Sequence, residues 1–118
     1  MSLRCLIVDD HQGFLRAARS LLERGGMTVV GAVSTSEEAI EVAVADRPDI
    51  VLVDIMLGTE SGFDLARQLT ADPRLPGIRV VLISTHAEED FADLLAVSPA
   101  VAFLPKWKLS ASAVRAVI

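Results

Sequence analysis

Asp49-Ile50-Val51-Leu52-Val53-Asp54-Ile55-Met56-Leu57 carries an unbroken apolar run onto a single carboxylate. Pro48 bounds it on one side and Gly58 on the other. A short continuous run between such punctuators predicts a strand buried on both faces, over Ile50 to Val53. A charge where that strand emerges needs a reason. In open α/β sheets, ligands sit in the crevice beyond the carboxyl ends of the strands, which is where Asp54 falls. Taken alone, Asp54 reads equally well as a cap on the following turn or helix.

Working outward, five apolar runs recur with helical patterns between them: Leu3 to Val8, Met27 to Val33, Ile50 to Val53, Ile78 to Ile83 and Ala100 to Leu104. That alternation predicts βαβ units. Phe14, Ala18, Leu21 and Leu22 form the inner face of the first helix, which Gly25-Gly26 stops. Ser36 with Glu37 and Glu38 starts the second, with Ala39, Ile40 and Ala43 inward and Pro48 closing it. A loop from Gly58 to Gly62 leads to a third helix with Leu65, Ala66 and Leu69 inward, ended by Asp72-Pro73. Glu88, Glu89 and Asp90 crowd the start of a fourth, where negative charge suits the helix dipole, and Phe91, Leu94 and Leu95 face inward before Ser98-Pro99. Ser110 or Ser112 caps a fifth, with Ala113, Val114, Val117 and Ile118 inward.

Right-handed crossovers then give a flavodoxin-like, doubly wound, five-stranded parallel sheet of order 2-1-3-4-5 with helices on both faces. The expected unit is one domain over residues 1–118. Its last helical pattern is still running at Ile118, so a truncated helix is expected, with an output domain following in a longer protein.

Composition narrows the function. A chain of 118 residues buries roughly two-thirds of its unfolded surface in a single core. The apolar runs are far too short for a membrane span, and no cationic start precedes an apolar signal core, so no membrane partner and a cytoplasmic location are expected. The single Cys5 sits inside the first apolar run and reads as a small core residue. A net charge of -5 leaves no basic patch for phosphate backbones, so this domain is not expected to bind nucleic acid itself.

Strand one ends in Asp9-Asp10 and strand three in Asp54, so the expected strand order converges three carboxylates on one crevice. Two like charges about 4 Å apart repel by roughly 4 kcal/mol at an effective dielectric near 20, so such a cluster calls for a cation. Oxygen ligands without paired His or Cys favour Mg2+ or Mn2+. Ser84 ends strand four and Lys106 follows strand five on the same edge, a hydroxyl donor and a point charge of the kind a phosphoryl group attracts. Viewed singly, Ser84 is a strand-ending turn residue and Lys106 a solvated loop charge.

With an acidic pair, an acceptor Asp, a Ser and a Lys met in order on four strand ends, the chain resembles the receiver domain of bacterial two-component response regulators over essentially its whole length. Val8-Asp9-Asp10-His11 and Phe103-Leu104-Pro105-Lys106 look most like the LuxR-type subfamily, whose full-length members usually carry a helix-turn-helix output domain. The resemblance implies that Asp54 takes a phosphoryl group from a sensor histidine kinase or phosphotransfer protein. It implies Mg2+ held by Asp10 and Asp54 directly, Asp9 through water and Met56 through its backbone carbonyl. Lys106 would pair with the phosphoryl group and Ser84 hydrogen-bond to it, with Thr85 beside them. Phe103 would swing into the space that Ser84 vacates, altering the surface around the fourth helix, fifth strand and fifth helix. A homodimer on activation fits that pattern, with DNA reached only through an output domain. Read blandly, Phe103 is a core residue.

Departures from the family pattern carry their own expectations. Gly58 replaces a common Pro and should loosen the loop carrying Met56. Thr85 is bulkier than the usual Ala or Gly and should slow phosphotransfer. Pro105 precedes Lys106 and Trp107 follows it, so the usual cis Lys-Pro bond has no counterpart. His86 and Met56 fall at positions that flank the phosphoryl group and tune its hydrolysis. His11 reads as a solvated or hydrogen-bonded loop histidine, and Trp107 as a ring covering the sheet edge or an interface anchor. The competing functions are a phosphorylation-independent interaction module of the same fold, and an aspartate-nucleophile phosphatase. The latter wants its nucleophile at the end of strand one with a second Asp two positions on, which Asp9-Asp10-His11 does not supply. Flavin binding is disfavoured by the acidic first loop. The expected role is therefore a regulator with slow self-dephosphorylation, not an enzyme.

Overall fold

The computed structural model describes residues 2–118, so Met1 of the expected domain lies outside it. Five parallel strands, β1 (Arg4–Val8), β2 (Thr28–Val33), β3 (Ile50–Asp54), β6 (Arg79–Ser84) and β7 (Ala102–Pro105), form a sheet of order β2-β1-β3-β6-β7. This is the expected 2-1-3-4-5 order, and no helix among the described residues is long and apolar enough to cross a membrane. The helices are α1 (Gln12–Arg24), α2 (Ser36–Asp46), α3 (Gly62–Ala71), α4 (Ala92–Val97) and α5 (Ala111–Val117).

Alternation along the central strands sorts the core into two layers. Cys5, Ile7, Ile50, Leu52, Val81 and Ile83 face α1 and α5, meeting Leu15, Ala18, Leu22 and Val114. Leu6, Val8, Val51, Val53, Val80 and Leu82 face the other way, toward Ala39 and Ala43 of α2 and Leu65, Ala66 and Leu69 of α3. Both faces of β3 are therefore covered, and all five of its residues are buried, Asp54 included. Cys5 is fully buried, and burial pushes its thiol up to about 12, which suits an inert core residue.

Several local features differ from expectation. Leu21 is 38% exposed and Leu15 takes its place inward, because the face of α1 that meets the sheet runs through Leu15, Ala18 and Leu22. The second helix is capped by Thr35, whose Oγ1 accepts the Glu38 N–H at 3.2 Å while Glu38 Oε1 accepts from the Thr35 hydroxyl at 3.1 Å, a reciprocal capping box. The fourth helix is short: Glu88–Phe91 is a 3-10 turn, and neither it nor α4 contributes a buried residue. Leu94, expected inward, is 51% exposed, since α4 lies beside the edge strand with no outer layer to cover it. Trp107 does not cover the sheet edge. It is 78% exposed in a 3-10 turn (Lys106–Lys108), with the Lys108 ammonium 5.0 Å from its ring centre. The last strand begins at Ala102, because Ala100 donates its N–H to Ser98 Oγ in a turn, and it admits Pro105 because β7 is an edge.

The segment after Asp54, expected as a loose loop, is a two-stranded hairpin of β4 (Met56–Leu57) and β5 (Glu60–Ser61). Gly58 has φ +61 at the first turn position, which a proline locked near −65° does not reach. Here Gly58 closes a hairpin in which Met56 is paired with Ser61. Gly62 then begins α3 against β3, its N–H donating to Ile55 O at 2.8 Å. A Cβ on Gly62 would fall 2.1 Å from the carbonyl oxygen of Asp54 and 2.8 Å from Ile55 Cα, both backbone atoms. Gly62→Ala is therefore expected to cost about 1–3 kcal/mol through overpacking. Gly13→Ala, with nothing within 4 Å of the new carbon inside α1, is expected to gain about 0.5–1 kcal/mol. Urea midpoints of the two variants should move in opposite directions, and a neutral Gly62→Ala would refute the close approach.

Candidate functional site

Register decides which side chains meet. Val8 lies opposite Val53, Asp54 opposite Ile83 and Ser84 opposite Pro105, so each strand ends about one residue beyond its neighbour. Asp9, Asp54, Ser84 and Lys106 therefore follow one another along the carboxyl edge. A cavity of about 250 Å³ opens there, lined by Asp10, His11, Asp54, Met56, Gly58, Ser84, Thr85, His86 and Lys106. It sits where β1 and β3 diverge toward opposite sides of the sheet, the topological switch point.

The centre is an ion triad. Lys106 Nζ lies 3.0 Å from Asp54 Oδ2 and 2.5 Å from Asp9 Oδ2, with the Lys side chain only 9% exposed. Its ammonium also stands 4.3 Å from the ring centre of Phe14. Lys106 is thus no solvated loop charge. Backbone N–H groups hold the other carboxylate oxygens: Met56 N donates to Asp54 Oδ1 at 3.1 Å, and His11 N to Asp9 Oδ1 at 2.8 Å. Burial pushes the Asp54 carboxyl above its ordinary range and nearby Asp9 adds to this, against the Met56 N–H and Lys106. For Lys106, burial alone pulls the ammonium down, but contacts with Asp9 and Asp54 outweigh it and the net shift is upward.

Ser84 is buried, and its Oγ accepts the His86 N–H at 3.0 Å, so the hydroxyl hydrogen remains to donate into the cavity. Thr85 lines the rim and is exposed. Phe103 is half-buried against the α2–α3 side of the core, and it also lines a cavity of about 510 Å³ with Thr85, His86 and Trp107.

The donor set fits a divalent cation. Asp9 is fully buried, with its Oδ2 paired to the Lys106 ammonium at 2.5 Å, so that one cation already serves two of the carboxylates. Asp9, Asp10, His11 and Asp54 each offer one donor atom, all within 4.8 Å of one another. Three carboxylates against one ammonium leave uncompensated negative charge that hard cations satisfy. Two further contributors, Phe14 and Gly62, carry no site signal in the sequence. His11 is the exposed, hydrogen-bonded loop histidine expected, its Nδ1 3.2 Å from Asp9 Oδ1. Phe14 was placed only on an apolar face, and Gly62 only in a loop.

An open, doubly wound sheet with an acidic, lysine-paired pocket at its switch point defines a class of α/β domain. The chain belongs within that class to the response regulator receiver domain family, whose profile, "Response regulator receiver domain", matches residues 5–117. It is 31% identical over 117 residues to the response regulator GacA of Pseudomonas viridiflava, covering 98% of this chain and 53% of that protein. The chain thus spans about half the length of that relative. Among solved structures it is similar to a LuxR-family two-component response regulator from Aurantimonas sp. SI85-9A1, with TM-score 0.85, 26% identity, and coverage of 99% of this chain and 83% of that one. It also resembles a response regulator protein from Burkholderia pseudomallei solved with a phosphorylated aspartic acid, calcium ion and citrate, with TM-score 0.82, 26% identity, and coverage of 98% and 66%. Receiver domains of this family serve two-component signalling, in exchange with histidine kinases or phosphotransfer proteins.

Removing the ammonium tests the triad. Lys106→Met leaves two buried carboxylates without their partner and is expected to cost about 3 kcal/mol at neutral pH. Because Asp54 titrates above its unfolded value near 3.9, the folded state takes up protons first as pH falls, so acidification through that window favours folding. Without Lys106, Asp54 of the variant is raised further, so the gap to the native chain should narrow as pH falls from about 7 toward 4. Urea titrations across that range check it, and a gap that widens on acidification counts against the triad.

Proposed function

We propose that this domain is a phosphorylation-dependent signalling switch in which Asp54 accepts a phosphoryl group from a phosphohistidine on a sensor kinase or phosphotransfer protein. The observation that carries the reading is Lys106 Nζ 3.0 Å from Asp54 Oδ2, at the floor of a cavity that the Ser84 hydroxyl also enters. A carboxylate oxygen of Asp54 attacks phosphorus, the P–N bond breaks, and its electron pair leaves with the imidazole of the donor. Mg2+, when bound, supplies positive charge to the phosphoryl oxygens at the moment that charge redistributes among them. Asp9, Asp10, Asp54 and the Met56 backbone carbonyl would hold it.

The chain's own groups do the rest. Lys106 stays fully charged and pairs with the transferred group, while Ser84 donates its free hydroxyl hydrogen to a phosphoryl oxygen. Phosphorylation turns a carboxylate of charge −1 into a group near −2 with three strong acceptor oxygens, so Ser84 and Lys106 are drawn to it. The cavity of about 510 Å³ beside Phe103 gives that ring room to follow. Thr85 lines both cavities, and its bulk at the rim slows access.

The output surface is α4, β7 and α5, where Leu94, Val97, Val101 and Trp107 are 51%, 74%, 50% and 78% exposed. A second copy on activation is the partner this surface would take, with DNA engaged only by an output domain elsewhere in a longer protein. A location in the cytoplasm, where the kinase's donor histidine lies, belongs to the same reading.

Incubation with Mg2+ and a small acyl phosphate, read by intact mass, is expected to show one phosphate-sized gain on the native chain and none on Asp54→Asn. EDTA should slow labelling by more than about a hundredfold, the effect of withdrawing several kcal/mol of charge stabilisation. Equal labelling of Asp54→Asn would overturn the reading.

A further inference from the structure

The end of the sheet remote from Asp54 holds a second polar cavity, which the phosphoryl chemistry does not use. About 270 Å³ in volume, it opens where the connection into β3 meets the connection into β6, and its walls include Leu3, Pro48, Leu75 and Ile78. Three guanidinium groups, of Arg47, Arg74 and Arg79, stand around it against the single carboxylate of Asp49. On a chain of net charge -5, a cavity so lined runs against the overall sign of the molecule.

Local hydrogen bonds account for one of these cations and leave two. Arg74 is held fork to fork on Asp72, Nε to Oδ1 at 3.0 Å and Nη2 to Oδ2 at 2.7 Å. Asp49 turns its Oδ2 to the Arg4 N–H at 2.9 Å and forms no ion pair with Arg47 or Arg79. Among the described residues, neither the Arg47 nor the Arg79 side chain has a hydrogen-bond or ion-pair partner.

Arg47 also stands where the fold has no need of an arginine. It ends α2 with φ +48 and ψ 66, the one non-glycine residue with positive φ among the described residues. A Cβ disfavours that conformation, and helix ends ordinarily fill it with glycine. The Arg47 backbone serves the fold, its N–H donating to Ala43 O at 2.8 Å and its carbonyl accepting from the Arg4 guanidinium at 2.9 Å, and a glycine would make both bonds as well. The walls are set before any ligand arrives. Pro48 and Leu75 are buried, Leu75 N–H bonds Asp72 O at 3.0 Å, and Arg79 N–H reaches Asp49 O at 3.4 Å, joining the two connections.

We propose that this cavity binds a small organic anion, a carboxylate or phosphate ester with a compact apolar body, its oxyanion held by Arg47 and Arg79 and its body against Leu3, Leu75 and Ile78. Guanidinium forks match the oxygens of carboxylate and phosphate alike. Since an apolar cavity of about 150 Å³ holds benzene, one of about 270 Å³ admits a molecule of roughly eleven heavy atoms.

The test titrates phenyl phosphate, benzoate and uncharged phenol, in EDTA, into the native chain, Arg47→Gly and Arg79→Gln, with backbone amide NMR shifts locating the ligand and urea midpoints reporting the fold. The amides of Asp49, Gly77, Ile78 and Arg79 should move saturably with an anion and not with phenol, while those of Asp54, Ser84 and Lys106 stay still. Whichever of the two anions binds more tightly identifies the head group. Each substitution should weaken that probe by about tenfold or more, the loss of one charge-assisted fork. Arg47→Gly should at the same time keep or raise the urea midpoint, because glycine suits the left-handed helix end. Absence of a saturable shift with either anion, shifts centred on Lys106, equal shifts with phenol, or unchanged affinity in both variants overturns the proposal. A fall in the Arg47→Gly midpoint also counts against it, since the side chain would then serve the fold. None of these results alters Asp54 labelling, which tests phosphoryl transfer separately.

Discussion

One ammonium between two buried carboxylates constrains the rest of the molecule. Asp9 and Asp54 are fully or almost fully withdrawn from water, and side by side they would repel strongly without Lys106. For Lys106 to reach both, the ends of β1 and β3 must be neighbours and the chain leaving β7 must fold back across the same edge. Order β2-β1-β3-β6-β7 achieves the first condition and the Lys106–Lys108 turn the second. Phe14 presents its ring face to the Lys106 ammonium, and so ties α1 to the same point. The triad is incomplete by design of its charges, because Asp10 adds a third carboxylate and no second cation answers it. The pocket is held together strongly enough to persist and remains negative enough to attract a divalent ion.

How much of this was legible in the sequence follows from the length scale of each signal. β3 is readable because burial on both faces leaves an unbroken apolar run, and the strand ends are readable because charge begins abruptly at Asp9, Asp54 and Lys106. Helix faces were legible wherever the sheet covers them, as at Leu65, Ala66 and Leu69. They failed at Leu94 and Leu21, because periodicity reports an apolar stripe but not whether another layer exists to cover it. The hairpin of Met56–Leu57 and Glu60–Ser61 was invisible because two-residue strands carry no alternation, and the positive φ of Gly58 is a property of the turn. Gly62 looked like loop composition until the carbonyl of Asp54 was seen where its side chain would be. His11 reads from the sequence as a solvated or hydrogen-bonded loop histidine, and so it is: 71% exposed, with Nδ1 3.2 Å from Asp9 Oδ1.

Rigidity is distributed unevenly about the pocket, and this bears on how a local charge change can be transmitted. On the β1–β3 side, every residue from Cys5 to Asp9 and from Ile50 to Ile55 is buried, and backbone N–H groups pin one oxygen of each carboxylate. On the β6–β7 side, Thr85 to Asp90 are exposed and α4 has no buried residue. Close packing resists deformation in the strands, β6 included, while sparse burial makes the segment beyond β6 the low-stability end of the domain.

The β3–β6 ladder and Lys106 join the two sides of the sheet, and a separate chain of contacts leads from Ser84 into the segment beyond β6. Ser84 holds the His86 N–H, the His86 ring meets Phe91 edge-on, and Phe91 lies 6.1 Å from Phe63 at the start of α3, which Gly62 presses against Asp54. In the proposed reading, an added phosphoryl charge at Asp54 cannot move the packed acids, so the response falls on Ser84 and the segment after it. That segment carries the exposed apolar residues of α4 and the turn to β7 directly. A pull of one hydroxyl is therefore delivered to the face that gathers Leu94, Val97, Val101 and Trp107, without any rearrangement of the sheet. Physical intermediacy alone does not establish a switch, which requires two arrangements of comparable energy. What the packing adds is that the segment from Thr85 to α4 is where least burial opposes a second arrangement.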